Sequence, residues 1–230
     1  MSEKVGTERA DLNEIIEAWS SSQKMKFSED EAKLIKAMYP PLALGAPLTP
    51  SDVAAKSGFP LKMIEKTFHL MKRSGAEFDE SGNLIGMALT LNPTNHKFVV
   101  DGQELYAWCA VDTLFLPGLV GKTADVESIC PATGERIRLR ISPIGIESVE
   151  PQDTVVSVVI PGTSAACEPG QAKGAGSASC QSMNYFISRE AAEKHLGPDS
   201  DVAILDVQEA SQLAQRVWVV PYLKALEPVI

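Results

Sequence analysis

Apolar residues recur at helical spacing near the start of the chain. Leu12, Ile15, Ile16 and Trp19 fall at i, i+3, i+4 and i+7, which predicts an amphipathic helix. Ser28 followed by Glu31 has the form of a capping box. It opens a second helix that carries Leu34, Ile35 and Met38 and is expected to stop at Pro40-Pro41. Residues 42–47 read as a connector. Thr49-Pro50-Ser51-Asp52 combines an N-cap, a proline at the first helical position and an acid in the first turn. After Gly58 and Phe59-Pro60, a further helix runs through Ile64, Phe68 and Met71. Helix, short glycine turn and helix make a helix-turn-helix pattern. The hairpin pattern from Glu77 to Gly86 follows, and together these elements read as a winged helix.

From residue 97 the period changes from helix to strand. Phe98-Val99-Val100, the Asp101-Gly102 turn and Leu105-Tyr106 predict a hairpin feeding a helix around Cys109, with Pro117-Gly118 as its expected end. Strands are expected at 124–129, at 136–141, where Ile137, Leu139 and Ile141 alternate with polar residues, and at 154–160. Residues 161–179 are rich in Gly, Ala, Ser and Pro and read as a long loop of the kind that serves as a lid. A strand over 183–187, a helix over 188–196 stopped by Gly197, an apolar run over 202–207 and a helical tail over 210–226 broken near Pro221 complete the chain. The fold class expected is α+β: an N-terminal winged-helix-like helical region, then a mixed or antiparallel β-sheet domain with helices. The expected division is a disordered tail over 1–9, a winged-helix-like domain over 10–96 and an α+β domain over 97–230.

Composition narrows the function. The 230 residues are 44% hydrophobic, an ordinary globular value, and no apolar run approaches the length of a membrane span. The first nine residues lack the apolar core of a signal peptide, so a cytoplasmic location with no membrane partner is the expectation. The net charge of −9 argues against a nucleic-acid partner, although Lys56, Lys62, Lys66, Lys72 and Arg73 make the helix-turn-helix locally basic. Four cysteines in a cytoplasmic chain read as reduced thiols: core filler, metal ligands or nucleophiles.

Two of those thiols stand out. Cys109 and Asp112 are three residues apart, a spacing that places a thiol and a carboxyl on one helical face. Around them lie Trp108, Val111, Leu114 and Phe115. Apolar surroundings raise a carboxyl's pKa and let it hold and give a proton. Cys109 is equally able to be a core filler, and Asp112 to be a cap or a solvent-facing acid. Cys180 sits at the edge of the long loop, where functional groups commonly lie. Cys130, in Cys130-Pro131-Ala132-Thr133-Gly134, looks like half of a zinc knuckle, but the chain has no Cys-x-x-Cys, and a thiol supporting a turn is the simpler reading. Cys167 lies within the loop and is either incidental or a scavenging thiol. None of His69, His96 and His195 is near a cysteine in sequence. Phosphate loops, dinucleotide fingerprints and serine-hydrolase signatures are absent.

The run from Leu105 to Pro117, with Cys109-Ala110-Val111-Asp112-Thr113 at its centre, resembles the signature of the organomercurial (alkylmercury) lyases. Gly121-Lys122-Thr123-Ala124, Val126–Gly134, Val149-Glu150-Pro151 and Cys180 with Asn184-Tyr185-Phe186 are similar to later segments of that family. The resemblance extends from the winged-helix region to about residue 210. It implies catalytic Cys109, Asp112 and Cys180, the same three residues holding the Hg(II) product, and protonolysis of the carbon–mercury bond in mercury detoxification. It implies no resident cofactor, an organomercurial substrate, small cytosolic thiols for turnover and mercuric reductase as acceptor of Hg(II). Thiolates are the ligands that soft mercury prefers. The rival classes are a winged-helix regulator sensing a soft metal through Cys109 and Cys180, and a thiol-dependent protein such as a metal carrier. The loop before Cys180 looks longer than is usual in the family, and Cys167 looks like an addition.

Overall fold

The computed structural model describes residues 11–22, 27–163, 178–198 and 200–227. The expected tail over 1–9, most of the expected lid and Cys167 lie outside the described residues. Helix α1 (Leu12–Ser22) buries Ile15, Ile16 and Trp19, the stripe that its spacing predicts. The Trp19 indole N–H donates to the Val159 carbonyl at 3.0 Å, which fastens the helix to a strand far away in sequence. Helix α2 (Glu29–Leu42) opens on the Ser28–Glu31 capping box. It runs through Pro40 and Pro41, past its expected stop. Each proline forfeits one backbone bond to the carbonyl a turn back, and the burial of Met38, Tyr39 and Leu42 on this last turn offsets that loss. Helix α3 (Pro50–Ser57) has the Thr49–Asp52 box at its start and Gly58 in the left-handed conformation at its end. Helix α4 (Leu61–Arg73) turns Ile64 and Phe68 inward.

The chain then becomes mostly strand: β1 (Glu77–Phe78), β2 (Leu84–Met87), β3 (Leu89–Thr90), β4 (His96–Val100) and β5 (Gln103–Ala107). Asp101 and Gly102 both take positive φ, the turn that an Asp-Gly pair favours between β4 and β5. Helix α5 (Ala110–Val120) follows, then β6 (Ala124–Ile129), β7 (Arg136–Ser142), β8 (Gly145–Glu150) and β9 (Val155–Val159). The remaining elements are α6 (Ala178–Ser182), β10 (Tyr185–Phe186), α7 (Arg189–Leu196), β11 (Val202–Asp206), α8 (Val207–Ala214), a π-helical turn (Gln215–Val219) and α9 (Val220–Leu226).

The protein is thus a mixed α+β fold with antiparallel sheets. One sheet has eight strands in the order β1-β2-β3-β5-β4-β6-β7-β8, and the pairing of β3 with β5 carries it continuously from the N-terminal hairpin into the rest of the molecule. A second sheet has the order β10-β9-β11. All five residues of β9 are buried, so this strand is covered on both faces. On β7, Ile137, Leu139 and Ile141 point inward while Arg136, Arg138 and Arg140 pair outside with Glu127, Asp125 and Glu147.

Helix α5 lies at the centre, packed against α2, α8 and the π-helical turn. Every residue of α5 but Asp112 is buried. It continues past the expected Pro117-Gly118 stop to Gly121, because packing on all sides outweighs the one backbone bond that Pro117 forgoes. Gly118 allows the close crossing: a Cβ there would lie 2.6 Å from a Val219 methyl. The π-helical turn precedes Pro221, which cannot donate to the carbonyl one turn back. Strand β8 escapes the sequence reading because it is an edge strand without apolar alternation. The strand expected over 183–187 shortens to Tyr185–Phe186. The helix of the tail begins at Val207, earlier than expected, since Asp206 caps it by accepting from the Glu209 N–H.

Candidate active site

Cys109 is not on the helix with Asp112. It occupies the N-cap of α5 in an extended conformation, and Asp112 is the third helical residue. This corrects the helical-face expectation while bringing the two groups closer. They form the reciprocal pairing of a capping box: the Asp112 carboxylate accepts from the Cys109 backbone N–H at 3.1 Å, and the Cys109 sulfur faces the N–H of Asp112. The capping alternative for Asp112 and the proximity of thiol and carboxyl are therefore the same geometry.

Cys180 arrives from α6. The next backbone turn returns the chain to α5, where the Ala110 N–H donates to the Met183 carbonyl at 3.0 Å. Ser157 on β9 locks this segment. Its hydroxyl donates to the Ser182 carbonyl at 2.7 Å and accepts from the Asn184 N–H at 2.9 Å, while its own N–H donates to the Asn184 carbonyl at 3.0 Å. One helical turn into α5, the Thr113 and Tyr185 hydroxyls share a buried hydrogen bond of 2.7 Å. The outcome is a cluster in which the sulfurs of Cys109 and Cys180 and a carboxylate oxygen of Asp112 all lie within 4.8 Å of one another.

Burial sets the electrostatics. Cys109 is fully buried, and Cys180 is only partly so. Asp112 is partly open as a residue, yet its carboxyl is enclosed by protein, and burial pushes its pKa from 3.8 up to about 7 despite hydrogen bonds from Cys109 that pull the other way. Burial, the hydrogen bond with Cys180 and the nearby Asp112 charge push the Cys109 thiol well above its ordinary value. Tyr39, from α2, is held in its neutral form first by burial and then by the Asp112 charge, so the N-terminal helices reach the site. Without a bound electrophile the Cys109 thiol keeps its proton, while the Asp112 carboxyl is poised between its two forms near neutral pH.

Other candidates separate from this cluster. Cys130 is buried in its turn. Burial acts to raise its pKa, but hydrogen bonds from the Thr133 hydroxyl and the N–H groups of Ile187, Ala132 and Thr133 bring it below the ordinary value, which fits a thiol supporting a turn. His96 borders the cavity beside Cys180 but shares a 2.9 Å hydrogen bond with Ser128, and burial lowers its pKa to about 4. It is neutral and lies outside the cluster of thiol and carboxyl groups. Ser157 and Tyr39 carried no signal in the sequence, and Thr113 and Tyr185 appeared there only inside the family-like runs with no role of their own, since isolated hydroxyl residues mark no pattern until the fold brings their partners.

Two thiols and a high-pKa carboxyl at one buried point define a centre suited to a soft electrophile and a proton. Comparison with known proteins gives the family. The MerB alkylmercury lyase profile matches residues 89–218. The alkylmercury lyase of Staphylococcus epidermidis is 35% identical over 206 residues, covering 88% of this chain and 91% of its own length. That of Bacillus cereus is 38% identical over 194 residues, covering 84% of each. The crystal structure of the mercury-bound form of MerB2 has the same fold, with a TM-score of 0.70 and 22% identity over 91% of this chain and 99% of that one. The chain belongs to the alkylmercury lyase family and is an enzyme of that class.

Proposed function

We propose that this enzyme cleaves the carbon–mercury bond of organomercurials by protonolysis, with Cys109, Cys180 and Asp112 as the reacting groups. The observation that carries the reading is the mutual approach of two sulfurs and a carboxylate oxygen within 4.8 Å. Mercury(II) is soft and binds thiolates in preference to oxygen or nitrogen. The substrate R–Hg–X meets the partly exposed Cys180 and the buried Cys109. As sulfur bonds to mercury, X leaves and the thiol proton passes to the Asp112 carboxylate. The second sulfur then joins the metal as a thiolate, its proton leaving to solvent with X, and electron donation from two sulfurs weakens the carbon–mercury bond. The Asp112 carboxyl returns its proton to carbon, R–H departs, and Hg(II) stays on the two thiolates. A carboxyl with a pKa near 7 suits both halves of that transfer, because it is able to take and give a proton at neutral pH.

Within this reading no resident cofactor takes part, and Hg(II) leaves to small cytosolic thiols or to mercuric reductase. The location is cytoplasmic, and the role is mercury detoxification. No helix among the described residues is long and apolar enough to cross a membrane. Helices α2 to α4 with the β1–β2 hairpin act as a winged-helix-like packing module over 10–96, joined to the domain over 97–230 and not to nucleic acid; the shared sheet and the reach of Tyr39 toward Asp112 support that role.

The test is direct. The purified protein is incubated with phenylmercury and excess thiol, and benzene is measured. Benzene release that depends on Cys109, Cys180 and Asp112 is expected. Its absence, with intact Hg(II) binding, would favour a metal carrier.

A further inference from the structure

The residue before Cys109 is held by a carboxylate from far upstream. The Trp108 indole N–H donates to Glu77 Oε1 at 3.0 Å. The other oxygen of Glu77 accepts from the Asn92 amide at 3.0 Å and from the Thr90 hydroxyl, so three donors converge on one carboxylate. Thr90 is fully buried. The sheet leaves room for this arrangement: a Cβ on Gly86 would collide with the Glu77 carboxylate and lie 2.7 Å from the Thr90 hydroxyl. Glu77 and Gly86 are register partners in the β1–β2 hairpin. The hairpin, β3 and the indole are therefore fixed to one another through one charged group, and charge-assisted hydrogen bonds of this kind are about twice as strong as neutral ones.

The indole held in this way forms part of the wall of a cavity of about 430 Å³ that opens beside Cys180. Most of its other lining is polar, from Thr94, Asn95, Gln181 and Asn184, with Pro93 adding a small apolar surface. Among the described residues, Trp108 is the one aromatic ring in the lining apart from His96. Cys180 lines this cavity, so an organic group carried on mercury held at Cys180 meets it, and a flat aryl group finds its complementary surface on the indole. A methyl group is too small to use it.

We infer that Glu77 is a positioning residue that holds the Trp108 indole as a specificity-determining wall, favouring aryl over small alkyl groups on mercury. This rests on the proposed cleavage at Cys109, Cys180 and Asp112. Glu77→Gln keeps the size of the side chain but satisfies fewer of the three donors and loses the charge. Its KM for phenylmercury should rise about threefold to tenfold, the range of one aromatic pair. Its kcat and its turnover of methylmercury should change little. Trp108→Phe should raise the phenylmercury KM in the same way. The Glu77→Gln/Trp108→Phe double variant should be no worse than Trp108→Phe alone, because the carboxylate acts through the indole.

The experiment is steady-state release of benzene and methane in excess thiol for these three variants and for Asn92→Ala, with thermal melting alongside. Asn92 is exposed, and its truncation removes a single donor, so that variant tests the same network if Glu77→Gln fails to fold. A smaller rise confined to phenylmercury is its expected result. Equal losses on both substrates, or a Glu77→Gln effect that persists in full on top of Trp108→Phe, would overturn the inference. A parent enzyme that releases neither hydrocarbon would instead overturn the proposed cleavage itself.

Discussion

Asp112→Asn should make the protein more stable and at the same time inactive, by an amount that depends on pH. The side chain keeps its shape and an oxygen to accept from the Cys109 N–H, but it no longer ionises. Burial raises the carboxyl from 3.8 to about 7 in the folded protein. A raised pKa means that the folded state resists ionisation. The carboxyl therefore imposes no penalty below the unfolded value of 3.8, a growing one as pH rises from there, and the full one above about 7. At about 1.36 kcal/mol per pH unit, the full penalty is about 4 kcal/mol. At pH 5 it is about 1.6 kcal/mol on the same scale. A chain of this size gains about 2–4 °C in Tm per kcal/mol. Asp112→Asn should thus melt about 8–16 °C above the parent at pH 8 and about 3–6 °C above it at pH 5. Hydrocarbon release should fall by about 10²–10⁴-fold, the usual contribution of a general acid or base. Stoichiometric Hg(II) binding, read by ultraviolet thiolate–mercury absorbance, should remain. A Tm difference that is flat between pH 5 and 8 would refute the buried, high-pKa carboxyl. Full turnover would show that water or another acid protonates carbon. Loss of Hg(II) binding would make Asp112 a ligand or a positioning group.

Cys109→Ser and Cys180→Ser should each abolish carbon–mercury cleavage, because a hydroxyl is a poor ligand for mercury, whereas Cys167→Ser should keep most activity; benzene release from the three variants decides it. Ser157→Ala removes the hydroxyl that bonds the Ser182 carbonyl and the Asn184 N–H, so it should cost about 1–3 kcal/mol in denaturant unfolding and lower kcat by loosening Cys180; unchanged kcat would place the control of Cys180 elsewhere. Gly118→Ala drives a methyl into Val219 across the α5 crossing and should destabilise by about 1–3 kcal/mol, while a neutral result would show that the crossing opens at little cost. The parent's kcat/KM should rise with pH through about 7 as the Asp112 carboxyl becomes able to accept the thiol proton, and a profile with no inflection there would argue against that step.

Local chemistry was legible in the sequence wherever it depends on neighbours along the chain. The capping box at Ser28, the helix start at Thr49-Pro50, the Asp101-Gly102 turn, the alternation on β7 and the α+β class follow from short-range rules, and they appear where those rules place them. Cys109, Asp112 and Cys180 were also named from the sequence, the last through family resemblance. Tertiary structure decided how they meet. Cys109 left the helix because the strand from β5 enters α5 at an extended residue, and the capping pair then joined thiol to carboxyl. Proline was expected to stop α2 and α5, but both continue because buried contacts outweigh a missing backbone bond. Strand β8 has no apolar period, and only its pairing with β7 makes it a strand. Ser157 reaches Ser182 and Glu77 reaches Trp108, each across a long stretch of chain, and the Asp112 charge acts on Tyr39 of α2. A hydroxyl or carboxyl has no preference for such a partner until a sheet or helix crossing supplies it, so their roles belong to the fold and not to any local pattern.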